Sequence, residues 1–434
     1  MNKYSSYKDS GVEWIGEIPK HWTIPLLRHL KNSGLCEYQD GNHGSVHPKN
    51  DDFVDKGIPF LRPTDVFQNY IDKKKLKYIP REYVKKLRIG FCKTGDLIFV
   101  NRGNIGVTTI LEGFDDDEFI IINPQLTYLR FKESNYLTKY FHFLSQSNIF
   151  KSNRDLKLGN GSVLNFLGLG DLGDYVILHP PHIEQQQIVT FLDNKTKKID
   201  SLIEKTQRKI KLLKEKKLKL IEGILLNSKT KRIRLEHVVD LIKRPIEREE
   251  NNIYTKIGMY NWGRGIFKYP SELGSELGDS SFNYLKERDL LLSGQFSWEG
   301  SVSIVENEED NCISSHRFHI LNGKKDKILN EYLWSYFTSQ EGHFILNENS
   351  PGSAGRNRPL NIGKLLKEKI PVPEIDVQMK IKRLVIETRN FEKYSKKNNE
   401  LLKEYRQSLI SEVVTGKVRV CEEDNSLSLN SQTV

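Results

Sequence analysis

Two sets of side chains in this sequence carry the donor and acceptor geometry needed to read base edges in a nucleic acid. The first is Asn42, His43, Arg62, Asn101, Arg102 and Asn104, and the second is Trp262, Arg264, Gln295, Trp298, Arg317, Arg356 and Arg358. An arginine fork matches guanine O6 and N7, and an asparagine or glutamine amide matches adenine N6 and N7, each through two parallel hydrogen bonds. Several sit in glycine-bearing loops, such as Asp40-Gly41-Asn42-His43-Gly44-Ser45 and Trp262-Gly263-Arg264-Gly265. Glycine there lets the backbone turn with φ > 0 and approach a phosphate closely. Solvated turns would show the same composition, so placement has to decide between the two.

Catalytic chemistry is harder to find. Gly168-Leu169-Gly170-Asp171-Leu172-Gly173 has the spacing of a dinucleotide cradle. That cradle needs a strand before it and a helix after it, whereas a strand, Tyr175 to Leu178, and then Pro180-Pro181 follow. An amino-methyltransferase would carry an Asn/Asp/Ser-Pro-Pro-aromatic loop beside an extruded base. Neither Asn123-Pro124-Gln125-Leu126 nor His179-Pro180-Pro181-His182 supplies it, and no Walker A phosphate loop is present. Cys36, Cys92, Cys312 and Cys421 form no Cys-x-x-Cys pair, and His43 and His47 lack further ligands nearby, so no metal is expected. The formal net charge of +10 favours a polyanionic partner. No apolar run approaches the ~18 residues of a membrane span, and the polar start Met1-Asn2-Lys3 lacks a signal core, so a cytoplasmic protein is expected.

The elements that must position these side chains are written twice. Pro181, Ile183, Glu184 and Gln186 recur as Pro373, Ile375, Asp376 and Gln378, a shift of 192 residues (373 minus 181). A β-rich stretch opens at Gly95-Asp96-Leu97-Ile98-Phe99-Val100 and again at Glu287-Arg288-Asp289-Leu290-Leu291-Leu292. Each is followed by a helical aromatic segment, Tyr136 to Phe150 and Tyr332 to Phe344, and then a Gly/Ser/Asn loop at 159–162 and 352–355. Framework positions match while the loops between them differ in chemistry, as expected of one scaffold presenting two readers.

A long helix is expected after each copy. In the first, Leu192, Ile199, Leu213 and Leu220 keep a seven-residue period with Thr206, and Ile203, Ile210 and Ile224 form a second stripe interrupted by Lys217. This is the a/d seam of a coiled coil. The second copy places Leu384, Phe391, Leu402, Tyr405 and Leu409 on the same register, with Ser395, Asn398 and Glu412 making it more polar. If the seams pack together, the helices run antiparallel between two globular domains. The 14 Lys and Arg of residues 195–232 face only Asp200, Glu204, Glu215 and Glu222, either as a solvated face or as contacts to phosphates.

The opening run Tyr7-Lys8-Asp9-Ser10-Gly11-Val12-Glu13-Trp14-Ile15-Gly16-Glu17-Ile18-Pro19-Lys20-His21-Trp22 resembles the N-terminal signature of type I restriction–modification specificity subunits. Gly57-Ile58-Pro59-Phe60-Leu61-Arg62, Gly95 to Phe99, and Leu409-Ile410-Ser411-Glu412-Val413-Val414-Thr415-Gly416-Lys417 also resemble that family's framework. The resemblance covers roughly residues 7–420. It implies an α+β protein with two mixed α/β target-recognition domains separated by two long antiparallel coiled-coil helices, in a pseudo-two-fold internal repeat. The expected bounds are 1–183 and 231–373 for the recognition domains, 184–230 and 374–420 for the helices, and 421–434 for a disordered tail.

The resemblance further implies a non-catalytic subunit on double-stranded DNA, reading a bipartite site with an unspecified spacer; a rod that fixes the separation of the two domains would place the half-sites about one helical turn, ~34 Å, apart. Its partners would be two methyltransferase subunits and restriction/translocase subunits, with no membrane. Those partners would bind S-adenosylmethionine, ATP and Mg2+, this chain binding no cofactor. Two other readings stay open on the residues alone: a fused methyltransferase or nuclease with degenerate motifs, and a coiled-coil adaptor without base readout.

Overall fold

The computed structural model describes residues 3–114, 119–131, 135–158, 166–352 and 358–420. The chain divides into two units, residues 1–203 with 399–434, and residues 204–398. Both are built around the same sheet. In the first, strands Thr108–Ile110, Leu97–Val100, Leu126–Phe131 and Cys36–Asp40 lie side by side in that order, all antiparallel. In the second the order is Val302–Ile304, Leu290–Ser293, Phe318–Gly323 and Val239–Ile242, again antiparallel. The register repeats as well. Leu97 lies between Ile110 and Leu129, and Leu290 lies between Ile304 and Leu321. Inward-facing Leu, Ile, Val and Phe on these strands account for much of each core.

A buried carboxylate opens the central strand of both sheets. Asp96 accepts from the Lys93 amide (2.8 Å) and Asp289 from the Lys286 amide (2.9 Å), each closing the turn into the strand. With side chains 1–2% exposed, each needs a cation. Asp96 takes two hydrogen bonds from Arg130 (2.9 and 2.7 Å), on the neighbouring strand one residue past Leu129. The corresponding residue past Leu321 is Asn322, which gives Asp289 one bond (3.1 Å), and the guanidinium comes instead from Arg244 (2.5 and 2.8 Å).

The expected aromatic helices are each split in two. Asn135–Ser145 is followed by Asn148–Leu158, and Asn330–Phe337 by Gln340–Glu348. Ser339 caps the second of its pair by accepting from the Gly342 amide (3.3 Å), and Ser147 accepts from the Phe150 amide (3.4 Å) in the matching place. Tyr140 and Tyr332, also 192 residues apart (332 minus 140), each donate to a backbone carbonyl just before a long helix, Leu178 (3.0 Å) and Pro371 (2.5 Å). The stretch Tyr175 to Leu178 makes one isolated bridge, Val176 to Leu26, with a second just past it at His179 to Thr23, rather than a continuous strand.

The long helices run His182–Leu226 and Ile375–Val414. The glutamine that marks each start donates to a proline carbonyl five residues back, Gln185 to Pro180 and Gln378 to Pro373, both at 2.8 Å. The partner of Gln378 is thus Gln185, not Gln186. In the first unit Leu192 shares a core with Leu409, Ile410, Val413 and Val414, and Asp200 pairs with Arg406 at 3.2 Å. In the second unit Ile221 and Ile224 share a core with Ile381 and Val385, and Lys209 lies 4.2 Å over the Phe391 ring. In both units one segment ascends as the other descends.

Along the first helix the inward side chains follow the seven-residue stripe as far as Leu213 and then step past it to Ile221. Leu192 and Ile199 are buried, and Ile203, Ile210, Leu213 and Leu220 are partly buried. In the second, Leu384 and Leu409 are buried and Phe391 and Leu402 partly so, but Tyr405 is 50% exposed. Arg406, only 16% exposed, stands on the stripe instead. The cause is geometric. An α-helix turns once in 3.6 residues, so a 3.5-residue stripe drifts, and here it advances by four from Leu402 to Arg406 and from Leu409 to Val413.

Removing a buried carboxylate strands its arginine. Asp96→Ala and Asp289→Ala are each expected to cost about 3–5 kcal/mol, measured by chemical denaturation, and each far more than exposed Asp376→Ala. A loss under ~1 kcal/mol would show that these pairs behave as surface ion pairs.

Candidate nucleic-acid interface

The expected base readers among the described residues range from side chains bonded into the fold to fully exposed ones. Asn42 is one of the former. It is 4% exposed, its Oδ1 accepts from the Arg88 (2.8 Å) and Ile89 (3.3 Å) amides, and its Nδ2 donates to the Ile89 carbonyl. Asn101 is 1% exposed and donates to Thr127 Oγ1 (2.8 Å). Arg62 forks onto buried Asp65 (2.9 and 2.8 Å) and also donates to the Lys75 carbonyl, and the bond to Asp65 raises its pKa. Each of the three is bonded inside the first unit, although Asn101 Oδ1 has no hydrogen-bond partner among the described residues. An amide or guanidinium suits a buried backbone group as well as it suits a base.

The exposed members of the first unit are His43, Arg102 and Asn104. His43 lies 2.8 Å from Asp40 Oδ2. Arg102 and Asn104 flank Gly103, whose φ of +81° turns the connection between strands Leu97–Val100 and Thr108–Ile110. His47 packs on Phe60 and burial lowers its pKa. Among the described residues no group of three or more His, Cys, Asp or Glu side chains is placed to hold a metal ion. Phe67 and Tyr70, absent from the expected set, stack at 4.9 Å on an exposed hairpin whose turn contains Asn69 at φ +71°. Exposed stacked rings are surfaces on which bases can stack; the sequence signal was the pair of aromatics flanking Gln68-Asn69.

In the second unit the structure brings several expected residues together. Gln295 and Arg317 line one cleft of about 300 Å³ with Lys256, Tyr269, Phe296 and Phe318, and Arg317 is exposed. Trp298 donates to the Gln295 carbonyl (3.1 Å), and Arg358 lies 5.0 Å over its ring while donating to the Ser350 carbonyl (3.1 Å). Trp262 and Arg264 line a second cleft, of about 620 Å³. Trp262 is a non-glycine residue at φ +61°, held there by bonds from its own amide to Glu299 (3.1 Å) and from the Gly263 amide to Gly300 (2.9 Å). That strained backbone turns out an indole 69% exposed and stacked on His343 at 5.0 Å. Arg264 donates to the Asn261 carbonyl (2.9 Å) and lies 5.6 Å over Tyr260. Arg356 lies outside the described residues.

Chemically, these surfaces present cations, amides and flat rings with φ > 0 turns, the inventory for phosphate contact and base-edge readout. Among the described residues no helix is long and apolar enough to cross a membrane.

The family described as type I restriction modification DNA specificity domain matches this chain twice, at residues 29–212 and 227–403. No curated protein sequence matches it significantly. Among solved structures, a chain from work on the structural basis of complex assembly and conformational transition of the type I R-M system shares the fold. Its TM-score is 0.54 at 13% identity, with 92% of this chain and 99% of that chain covered. The HsdS subunit from Thermoanaerobacter tengcongensis aligns with a TM-score of 0.46 at 13% identity, over 92% of this chain and 98% of that one. The type I restriction-modification S subunit from M. genitalium aligns with 0.49 at 14% identity, over 90% and 96%.

Two substitutions separate scaffold from reader. Arg317→Ala is expected to leave the melting temperature unchanged and to weaken specific DNA binding by about 1–3 kcal/mol. Asn42→Ala is expected to lower the melting temperature while leaving the recognised sequence unchanged. Thermal denaturation and duplex titration of the assembled complex check both, and the reverse pattern would exchange the two roles.

Proposed function

The chain belongs to the type I restriction modification DNA specificity family and is the sequence-specificity subunit of such a system, and from that premise we propose that each repeat reads one half of a bipartite site on double-stranded DNA. Partner subunits then do the chemistry. Methyltransferase subunits, two per complex, would extrude and methylate an adenine with S-adenosylmethionine, and restriction subunits would use ATP and Mg2+. This chain selects the adenine and binds no cofactor itself.

The observation that carries this reading is the repeated sheet with unlike loops. Leu97 and Leu290 occupy the same cross-strand position in their sheets. Yet the connection leaving the first strand is Asn101-Arg102-Gly103-Asn104, and the one leaving the second is Gly294-Gln295-Phe296-Ser297-Trp298. Equivalent placement with different hydrogen-bonding groups is what two different half-sites require. Arg102 and Asn104, with the Phe67 and Tyr70 rings, would meet one half-site, and Gln295, Arg317, Trp262 and Arg264 the other. The basic outer faces of the long helices suit phosphates between the halves, contacts that add affinity without sequence.

Exchanging residues 235–373 for those of another family member is expected to replace one half of the recognised sequence and leave the other intact, as read by methylome sequencing of cells carrying the complex. A change in both halves would defeat the modular reading. A complex that binds every duplex equally would favour an adaptor role, and methylation or cleavage by the purified chain alone would make it an enzyme.

A further inference from the structure

Three elements of the second unit converge on one indole ring. Lys217 of the first long helix places Nζ 4.2 Å from the Trp334 ring, and Arg389 of the second places its guanidinium carbon 4.4 Å from it. Trp334 itself belongs to the domain helix Asn330–Phe337 and is 8% exposed. Its Nε1 has no hydrogen-bond partner among the described residues. Polarity therefore does not explain why a tryptophan stands here; its ring face does, because the π quadrupole attracts cations.

Lys217 is out of keeping with its position. It takes the seam place between Leu213 and Leu220, where the stripe otherwise carries Leu, Ile or Thr. Burial, with help from Arg389 and Lys214, pushes its pKa down to about 8, against the opposing pull of Glu392. The surrounding charges are largely committed to one another. Arg389 pairs with Glu306 (3.4 Å), Lys214 with Glu392 (2.5 Å) and Lys393 with Glu308, while Glu309 accepts from the Glu306 amide (2.9 Å). A methionine of similar length would bury the same stem without the desolvation cost.

The first unit joins its domain to the helices by other means. The residue 192 positions before Trp334 (334 minus 142) is His142, which lies 3.1 Å from Thr108 Oγ1 and 2.8 Å from Asn69 Oδ1. There the cation on the helix, Arg406, donates to Gln146 (3.2 Å), in the turn between the paired domain helices, and pairs with Asp200. Hydrogen bonds and an ion pair fill the joint in one repeat, and a ring contacted by two cations fills it in the other.

We propose that Lys217, Trp334 and Arg389 are positioning residues that fix the angle of the second recognition domain on the helix pair, and so the phase at which that domain meets its half-site. A ring gripped on its face by cations from both helices resists rotation of the domain against either one. Apolar packing alone is non-directional and would permit that rotation. This rests on the reading that the second repeat recognises a half-site.

The test uses the full chain assembled with its methyltransferase partners, on its methylome-defined duplex and on duplexes with the spacer lengthened or shortened by one base pair. Lys217→Met is expected to raise the melting temperature, because a desolvated charge is gone, yet to cut the preference for the natural spacer about tenfold. Trp334→Leu should cut it similarly, and Trp334→Phe, which keeps a ring face, should retain most of it. Unchanged spacer preference in both Lys217→Met and Trp334→Leu overturns the proposal. So does a parallel fall of melting temperature and affinity in all three variants, which would mark the cluster as packing only. If the unmodified complex shows no sequence preference at all, the underlying reading of the second repeat fails, a result distinct from either.

Discussion

Neither core in this protein closes with its own stretch of chain. The sheet and helices of the first unit are completed by Leu409, Ile410, Val413 and Val414, which arrive from the far end of the sequence to meet Trp22, Tyr140 and Leu192. The second unit is completed by Ile221 and Ile224, from the end of a helix that begins in the first. The antiparallel helix contact is therefore part of each domain's hydrophobic core, and burial of these side chains is what ties recognition domain to helix. A recognition domain cut at its sequence boundary would expose that apolar surface.

Within that constraint the repeats solve the same problems with different atoms. Both sheets bury an aspartate at the mouth of the central strand, but one guanidinium comes from the adjacent strand at Arg130 and the other from Arg244 outside it. Both start their long helix with a glutamine donating to a proline carbonyl. Both turn between paired domain helices at a serine. What persists is a backbone requirement: a turn to close, a carbonyl to satisfy, a helix start to fix. Which side chain meets the charge left over varies, because any donor reaching the carboxylate will serve.

Much of this was legible in the sequence, and the failures have physical causes. Along the first helix burial follows the seven-residue stripe through Leu213 and then shifts by one, to Ile221. The stripe of the second drifts past Leu402, since 3.5 and 3.6 part company over several turns and Arg406 can bury its stem where Tyr405 was expected. The repeat was legible, but its register at the helix start was off by one: Gln185-Gln186-Gln187 offers three candidates, and only the bond to Pro180 distinguishes them. Among the readers, Asn42, Asn101 and Arg62 prove to be internal struts. Side-chain type alone cannot separate an amide that satisfies a loop from one that waits for a base. Phe67 and Tyr70 meet because a tight hairpin turn brings two rings onto one face, a placement that ring type alone does not indicate.

The division between struts and exposed readers has a consequence for how such a protein can change. Asn42, Arg62 and Asn101 are bonded into the fold, so altering them disturbs the domain. Arg102, Asn104 and Arg317 are exposed, and their replacement is expected to leave the sheet, the buried aspartates and the helix seam as they are. Surface substitutions away from such features usually move stability by less than ~0.5 kcal/mol. Base preference can then drift while the fold stays fixed, provided the domain keeps its angle on the helices. On the proposed reading, specificity in this chain divides into two layers, side chains that choose bases and buried joints that aim them. The first is free to vary because the second is not.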